Sequence, residues 1–137
     1  MSTTPTDPDT PASTSIPSAI TDAATSIRTG NGVVTLINVF TVAPEHQQEL
    51  IEVLDRATVQ VMRHLPGFVS ANIHRGLDGT RVANYAQWTS RAAYEAMLGN
   101  PAAGEHMAAA AQLATFEPTL YEVASVHAAP PAAGSAL

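Results

Sequence analysis

Asn84, Trp88 and Tyr94 are the side chains in this sequence best placed to do chemistry together. In the alternating run over 80–89, Val82, Asn84, Ala86 and Trp88 point to one face and Ala83, Tyr85 and Gln87 to the other. Asn84 stands on a face that otherwise reads apolar, so its amide needs a hydrogen-bond partner, which backbone, water or a ligand would supply. Trp88, the only tryptophan of the chain, carries an indole N–H that needs an acceptor. It is either a core ring or the wall of an internal cavity. Tyr94 falls one turn into the next helix and reaches back over the end of the strand. There it either packs its ring or donates and passes a proton to a bound oxygen.

The place of His74 depends on one turn. With a two-residue reversal at Asp78-Gly79, His74 pairs with Ala83 and faces away from Asn84. With a three-residue turn and Gly79 in a left-handed bulge, it pairs with Val82 and joins the Asn84 face, and Leu-Asp-Gly favours this geometry. His46, His64 and His127 read as surface or structural residues, and His106 lies beside Met107 on an alanine-rich helix, either in a pocket or in water. Neither histidines nor carboxylates show metal-ligand spacing, and no glycine-rich phosphate loop or nucleotide fingerprint is present. The expected metal and cofactor complement is therefore none, with bare side chains acting in an apolar cavity.

The elements that must hold these residues follow from periodicity. VVTLINVFTV over 33–42 reads as a strand with both faces largely apolar, Asn38 and Phe40 sharing one of them. Pro44 opens an amphipathic helix of about five to six turns, ended by Pro66-Gly67. A hairpin pairs 68–77 with 80–89, Ser90 caps a short helix to Leu98, and Asn100-Pro101 starts a second helix to Ala114. Pro118 then opens a last strand over 119–127. The order β-α-β-β-α-β predicts an α+β, ferredoxin-like fold: a four-stranded antiparallel sheet with both helices on one face. The other sheet face has nothing in the chain to cover it, which predicts a homodimer through the sheet face.

Composition bounds the rest. The 137 residues make one domain, expected over 32–127, with Thr/Ser/Pro-rich residues 1–31 and Ala/Pro-rich residues 128–137 as disordered tails. The net charge of −6, with six arginines and no lysine, argues against nucleic acid and against an anionic membrane surface, and removes Schiff-base chemistry. The absence of cysteine removes thiolate nucleophiles and disulfides. No membrane-length apolar run or basic leader is present, so a cytoplasmic protein is expected.

Asp78-Gly79-Thr80, Asn84-Tyr85-Ala86-Gln87-Trp88, Ser90 and Ala93-Tyr94, preceded by Pro66-Gly67-Phe68 and Ser70-Ala71, resemble the antibiotic biosynthesis monooxygenase family over about residues 33–127. The resemblance implies a dimeric α+β barrel with a cavity between sheet and helices. It also implies oxidation of a phenolic aromatic, polyketide-like substrate to a quinone with O2, without metal, flavin or heme. On that resemblance Asn84 and Trp88 hydrogen-bond substrate oxygens, Tyr94 joins binding and proton transfer, and His74 takes a histidine position on the second strand. Asn38, Phe40, Met97, His106 and Met107 complete the expected substrate-binding set. The family's tyrosine has an arginine partner on the last helix; here that position falls at or beside Met107, so either His106 substitutes or the proton relay differs. Relatives of the same fold leave three alternatives: a heme-degrading monooxygenase, for which Asn38 and His106 are the nearest matches, a polyketide cyclase, and a non-catalytic binding barrel.

Overall fold

Strand β1, Val34–Val42, runs through the middle of the sheet because its β-branched residues serve both faces. Leu36, Asn38, Phe40 and Val42 point inward and are buried. The computed structural model describes residues 23–132, so what was expected of residues 1–22 and 133–137 lies outside the described residues.

The expected long helix is one α-helix between two tighter turns. Pro44–His46 form a 3₁₀ turn, α1 runs Gln47–Gln60, and Met62–His64 form a second 3₁₀ turn after Val61 leaves helical geometry. Pro66 explains the ending. It forces Leu65 into an extended conformation (ψ 146°), and the chain tightens as it approaches that residue. α1 buries Leu50, Ile51, Val53, Leu54 and Ala57 against the sheet. Its first residue, Gln47, donates from Nε2 to the carbonyls of Gly76 and Arg81 at 2.9 and 3.0 Å, fixing the helix to the base of the hairpin.

β2, Phe68–Arg75, and β3, Arg81–Trp88, make that hairpin. Its register corrects the expectation of a three-residue turn. Gly76 N–H donates to Arg81 at 2.8 Å, leaving four residues, Leu77 to Thr80, in the loop. Gly79 does take the left-handed conformation (φ 82°). The Asp78 carboxylate accepts from the Thr80 N–H and hydroxyl at 2.8 and 2.9 Å. Widening the loop by one residue on each strand keeps the pairing of a two-residue turn, so His74 sits opposite Ala83. A bulge between Phe68 and Ser70 lets Phe68 and Ala71 both meet inward partners, Trp88 and Ala86.

α2, Arg91–Leu98, is capped by the Ser90 hydroxyl accepting from Ala93 N–H at 3.0 Å. α3, Pro101–Ala111, is capped in the same way by Asn100 on Ala103. It ends three residues before the expected Ala114. β4 then begins early and also finishes early, at Ala114–Tyr121 instead of 119–127. Pro118 lies inside this strand and does not open it. β4 is an edge strand, where a missing N–H leaves no central ladder broken. The sheet is fully antiparallel, in the order β2-β3-β1-β4, which is the α+β ferredoxin-like arrangement.

Two apolar clusters fill the space between sheet and helices. One gathers Phe40, Val42, Leu50, Leu54 and Val82; the other gathers Leu36, Ala86, Trp88, Tyr94, Met97 and Ala103. Between them, on the paired strands β1 and β3, lies one polar layer made of Asn38 and Asn84, direct cross-strand partners. On the opposite face part of the expected N-terminal tail is docked. Thr25 Oγ1 donates to Asn72 Oδ1 at 2.6 Å, and Gln87 Nε2 donates to the Ser26 carbonyl at 2.9 Å. The side-chain amides of Asn72, half-buried, and Gln87, buried, offer this extended segment partners that composition alone does not reveal.

Candidate active site

A cavity of about 210 Å³ opens where the two clusters part. The sheet supplies Asn38 and Phe40 from β1, Asn84 and Trp88 from β3, and Phe116 from β4; the helices supply Tyr94, Met97 and Met107. Strand alternation sends every second residue of β1 and β3 inward, so Asn84 and Trp88, four apart, line the same wall. Ser90 ends the strand and starts α2, which brings Tyr94 back over it. The Trp88 ring is held edge-on between Phe68 and Tyr94, with centroids 5.6 and 6.4 Å away.

The polar atoms of this wall are unpaired. Oδ1 of Asn38, Oδ1 of Asn84 and Nε1–H of Trp88 are all buried without a hydrogen-bond partner. A buried group left in that state costs about 1–3 kcal/mol. Together they give one apolar cavity two hydrogen-bond acceptors and one donor. Rotating either amide exchanges its carbonyl for its NH₂, so the pair can accept from a hydroxyl or donate to an oxyanion.

Tyr94 is the one titratable side chain on the cavity wall among the described residues. Burial raises its phenol above the usual value of 10.0, because the charged form is the one that loses solvation. At neutral pH it is therefore a proton donor, not a base.

Most of the expected site is brought together: Asn84, Trp88, Tyr94, Asn38, Phe40, Met97 and Met107 all line the cavity. Two expected residues are not. His74 is exposed on the outer face, its Nδ1 3.1 Å from the Asn72 carbonyl, because the four-residue loop sets the register that turns it away. His106 is half-buried on α3 but is absent from the wall; the residue after it, Met107, faces in, one helical step of about 100° away. Met107, at or beside the position that the resemblance gives to an arginine, thus presents an apolar side chain to the cavity, and His106 is not on its wall. Among the wall residues outside the expected set are Phe116 and Met62. Phe116 was legible as an alternation with Leu120, but Pro118 masked the strand. Met62 lies in the 3₁₀ turn, where helical spacing no longer predicts direction.

Among the described residues no three His, Cys, Asp or Glu side chains are grouped to hold a metal ion. No described helix is long and apolar enough to cross a membrane.

Comparison with known proteins decides the family. The antibiotic biosynthesis monooxygenase family matches residues 33–109, which include the strand that carries Asn84 and Trp88 and the helix that carries Tyr94. The chain belongs to the antibiotic biosynthesis monooxygenase family. It is similar to tetracenomycin-F1 monooxygenase of Streptomyces glaucescens, 45% identical over 89 residues, spanning 65% of this chain and 80% of that protein. Its fold matches a monooxygenase of Streptomyces coelicolor solved with the ligand nanaomycin D, at TM-score 0.63 and 30% identity over 72% of this chain and 93% of that one. SnoaB, a cofactor-independent oxygenase of Streptomyces nogalater, matches at TM-score 0.62 and 32% identity, over 69% of this chain and 96% of SnoaB. As a member of this family the chain is a monooxygenase, and the ferredoxin-like order read from its sequence is the family's fold.

Proposed function

We propose that this monooxygenase oxidises a phenolic polycyclic aromatic, an anthrone or hydroquinone of polyketide type, to a quinone with O2 and without a bound cofactor. One observation carries this: the unpaired amides of Asn38 and Asn84 and the unpaired indole N–H of Trp88 share one aromatic-lined cavity. A planar substrate bearing hydroxyl and carbonyl oxygens satisfies all three at once. The similarity to tetracenomycin-F1 monooxygenase and to the nanaomycin D complex supports the same class of ligand.

For an anthrone the steps balance without an external reductant. The substrate loses a proton from its methylene carbon to water, since no base stands on the described wall. The amides and the indole N–H stabilise the oxygen of the resulting enolate. This anion gives one electron to O2, and the radical and superoxide, held together in the cavity, join to form a C–O bond. The peroxide takes up a proton, for which Tyr94 is the placed donor. Breaking the O–O bond with loss of the remaining C–H proton leaves a carbonyl and one water. One oxygen atom enters the product and the other leaves as water. The heme-degrading alternative loses its iron ligand, because His106 does not face the cavity.

The working unit we propose is a homodimer. The stretch at Thr25 and Ser26 covers part of the outer sheet face, but Val39 and Tyr121 remain 37% and 48% exposed there, and a second copy is the cover that closes the rest symmetrically. Light scattering on the purified chain reads the dimer mass directly.

The activity is tested by giving metal-free protein an anthrone under ¹⁸O₂. The expected result is O2 uptake, a quinone chromophore and one ¹⁸O atom in the new carbonyl. Turnover that proceeds equally well without O2 would assign the site to a cyclase instead.

A further inference from the structure

The sequence contains four methionines. Apart from Met1 they are Met62, Met97 and Met107, and all three line the cavity. They arrive from three separate elements, the 3₁₀ turn after α1, then α2 and α3. No single helical periodicity explains that convergence. All three stand on the helical side, beside Leu54, Tyr94 and Leu98, while the sheet side is built mostly of short or planar groups, Asn38, Ala71, Asn84, Ala86 and Trp88 among them. The cavity thus has one rigid wall, held by strand pairing, and one wall in which three unbranched thioether chains converge.

At about 210 Å³ the cavity is smaller than the ~300–1,000 Å³ of pockets that enclose drug-sized ligands. Methionine is the side chain best able to change that. It has three rotatable bonds and no branch, so it yields space at low cost, and its sulfur makes favourable contacts with ring edges. Leucine in the same places offers similar bulk but is branched and has fewer rotamers.

Building on the proposed aromatic substrate, we infer that Met62, Met97 and Met107 form an adaptable wall that sets the size range of the ligand, admitting fused-ring systems larger than the resting cavity. The sheet wall reads oxygen positions through Asn38, Asn84 and Trp88, and the methionine wall accommodates the number of rings. The division is physical: hydrogen bonds need fixed geometry, whereas ring contacts need only area.

Trp88, the sole tryptophan, lies in the cavity and makes its own fluorescence the readout of occupancy. The test titrates bicyclic 1,4-naphthoquinone and tetracyclic 5,12-naphthacenequinone into three proteins: wild type, the M62L/M97L/M107L variant, and wild type with norleucine in place of methionine. Norleucine keeps the unbranched chain and removes only sulfur. The expected result is that the leucine variant loses about tenfold in affinity for the tetracycle but stays within about twofold for the bicycle. The norleucine protein should keep the wild-type size range. If the leucine variant binds both quinones as wild type does, or norleucine loses the tetracycle as leucine does, the adaptable wall is wrong while the proposed substrate class stands. If wild type binds neither quinone, the substrate class falls too. Single M107L gives the same comparison should the triple variant fold poorly.

Discussion

Replacing Asn84 with leucine should stabilise the protein while removing its activity. Asn84 Oδ1 is buried and unpartnered, and among the described residues its side chain makes no hydrogen bond. A buried polar atom without a partner costs about 1–3 kcal/mol, and this is the cost the substitution is expected to remove. Leucine has the same number of side-chain heavy atoms, branches at the same carbon and carries no polar atom; its extra bulk can enter the adjoining cavity, between the apolar clusters of Phe40 and Trp88. Removing the orphan oxygen recovers the cost, and the two clusters become continuous on this strand. A gain of about 1 kcal/mol corresponds to a Tm increase of about 4–8 °C for a domain of this size. Activity should move the other way, because the amide is the group held ready for the substrate oxygen. Removing one such preorganised partner typically costs about 10²–10³-fold in kcat. The assay pairs thermal denaturation of ligand-free protein with O2 uptake on an anthrone. A lower Tm with activity retained would show that the amide is satisfied in the empty protein and is not waiting for a ligand.

Other consequences are simpler to state. Tyr94→Phe should slow turnover and flatten the alkaline stability limb. Because burial raises the folded-state phenol above 10.0, its contribution is fully present below that pH and is lost as pH climbs above it, which pH-dependent denaturation measures. His74→Ala should leave kcat and KM near wild type in steady-state assays, since the side chain is on the outer face. Two of the left-handed glycines, Gly67 and Gly79, should differ. Gly67→Ala places a Cβ 2.4 Å from Ala93 Cβ, whereas Gly79→Ala meets only Pro44 Cβ at 3.9 Å. Chemical denaturation should find the first clearly more destabilising, with the second limited to the backbone cost of about 1–2 kcal/mol.

The strands and helices were legible where side chains repeat with the period of their element. β1, α1 and the Asn84–Trp88 alternation all belong to that class. Misreadings gathered where a local signal competed with a tertiary one. Pro118 reads as a boundary in sequence but is tolerated because β4 lies at the sheet edge, a fact about strand order that no window of residues contains. The hairpin turned on whether Gly79 closes a loop of two, three or four residues. The side-chain bonds of Asp78 to Thr80 and of Gln47 to the hairpin base accompany the last. His106 and Met107 are adjacent in sequence and face different ways, which helical phase decides and composition does not. The site was legible on strands and helices alike, except where hairpin register decided His74 and helical phase decided His106.

The docked stretch at Thr25 and Ser26 bears on where this protein begins as a working object. The family match starts at residue 33, and a chain cut there would retain every residue that marks the family. It would lose the Ser26 carbonyl that accepts from Gln87, a side chain only 3% exposed that also receives the Ser70 hydroxyl at 2.7 Å. Gln87 is the immediate neighbour of Trp88, on the other side of the same strand. The strand that presents Asn84 and Trp88 to the cavity is thus braced from behind by residues that similarity leaves out. Recognisable ancestry and mechanical completeness end at different residues.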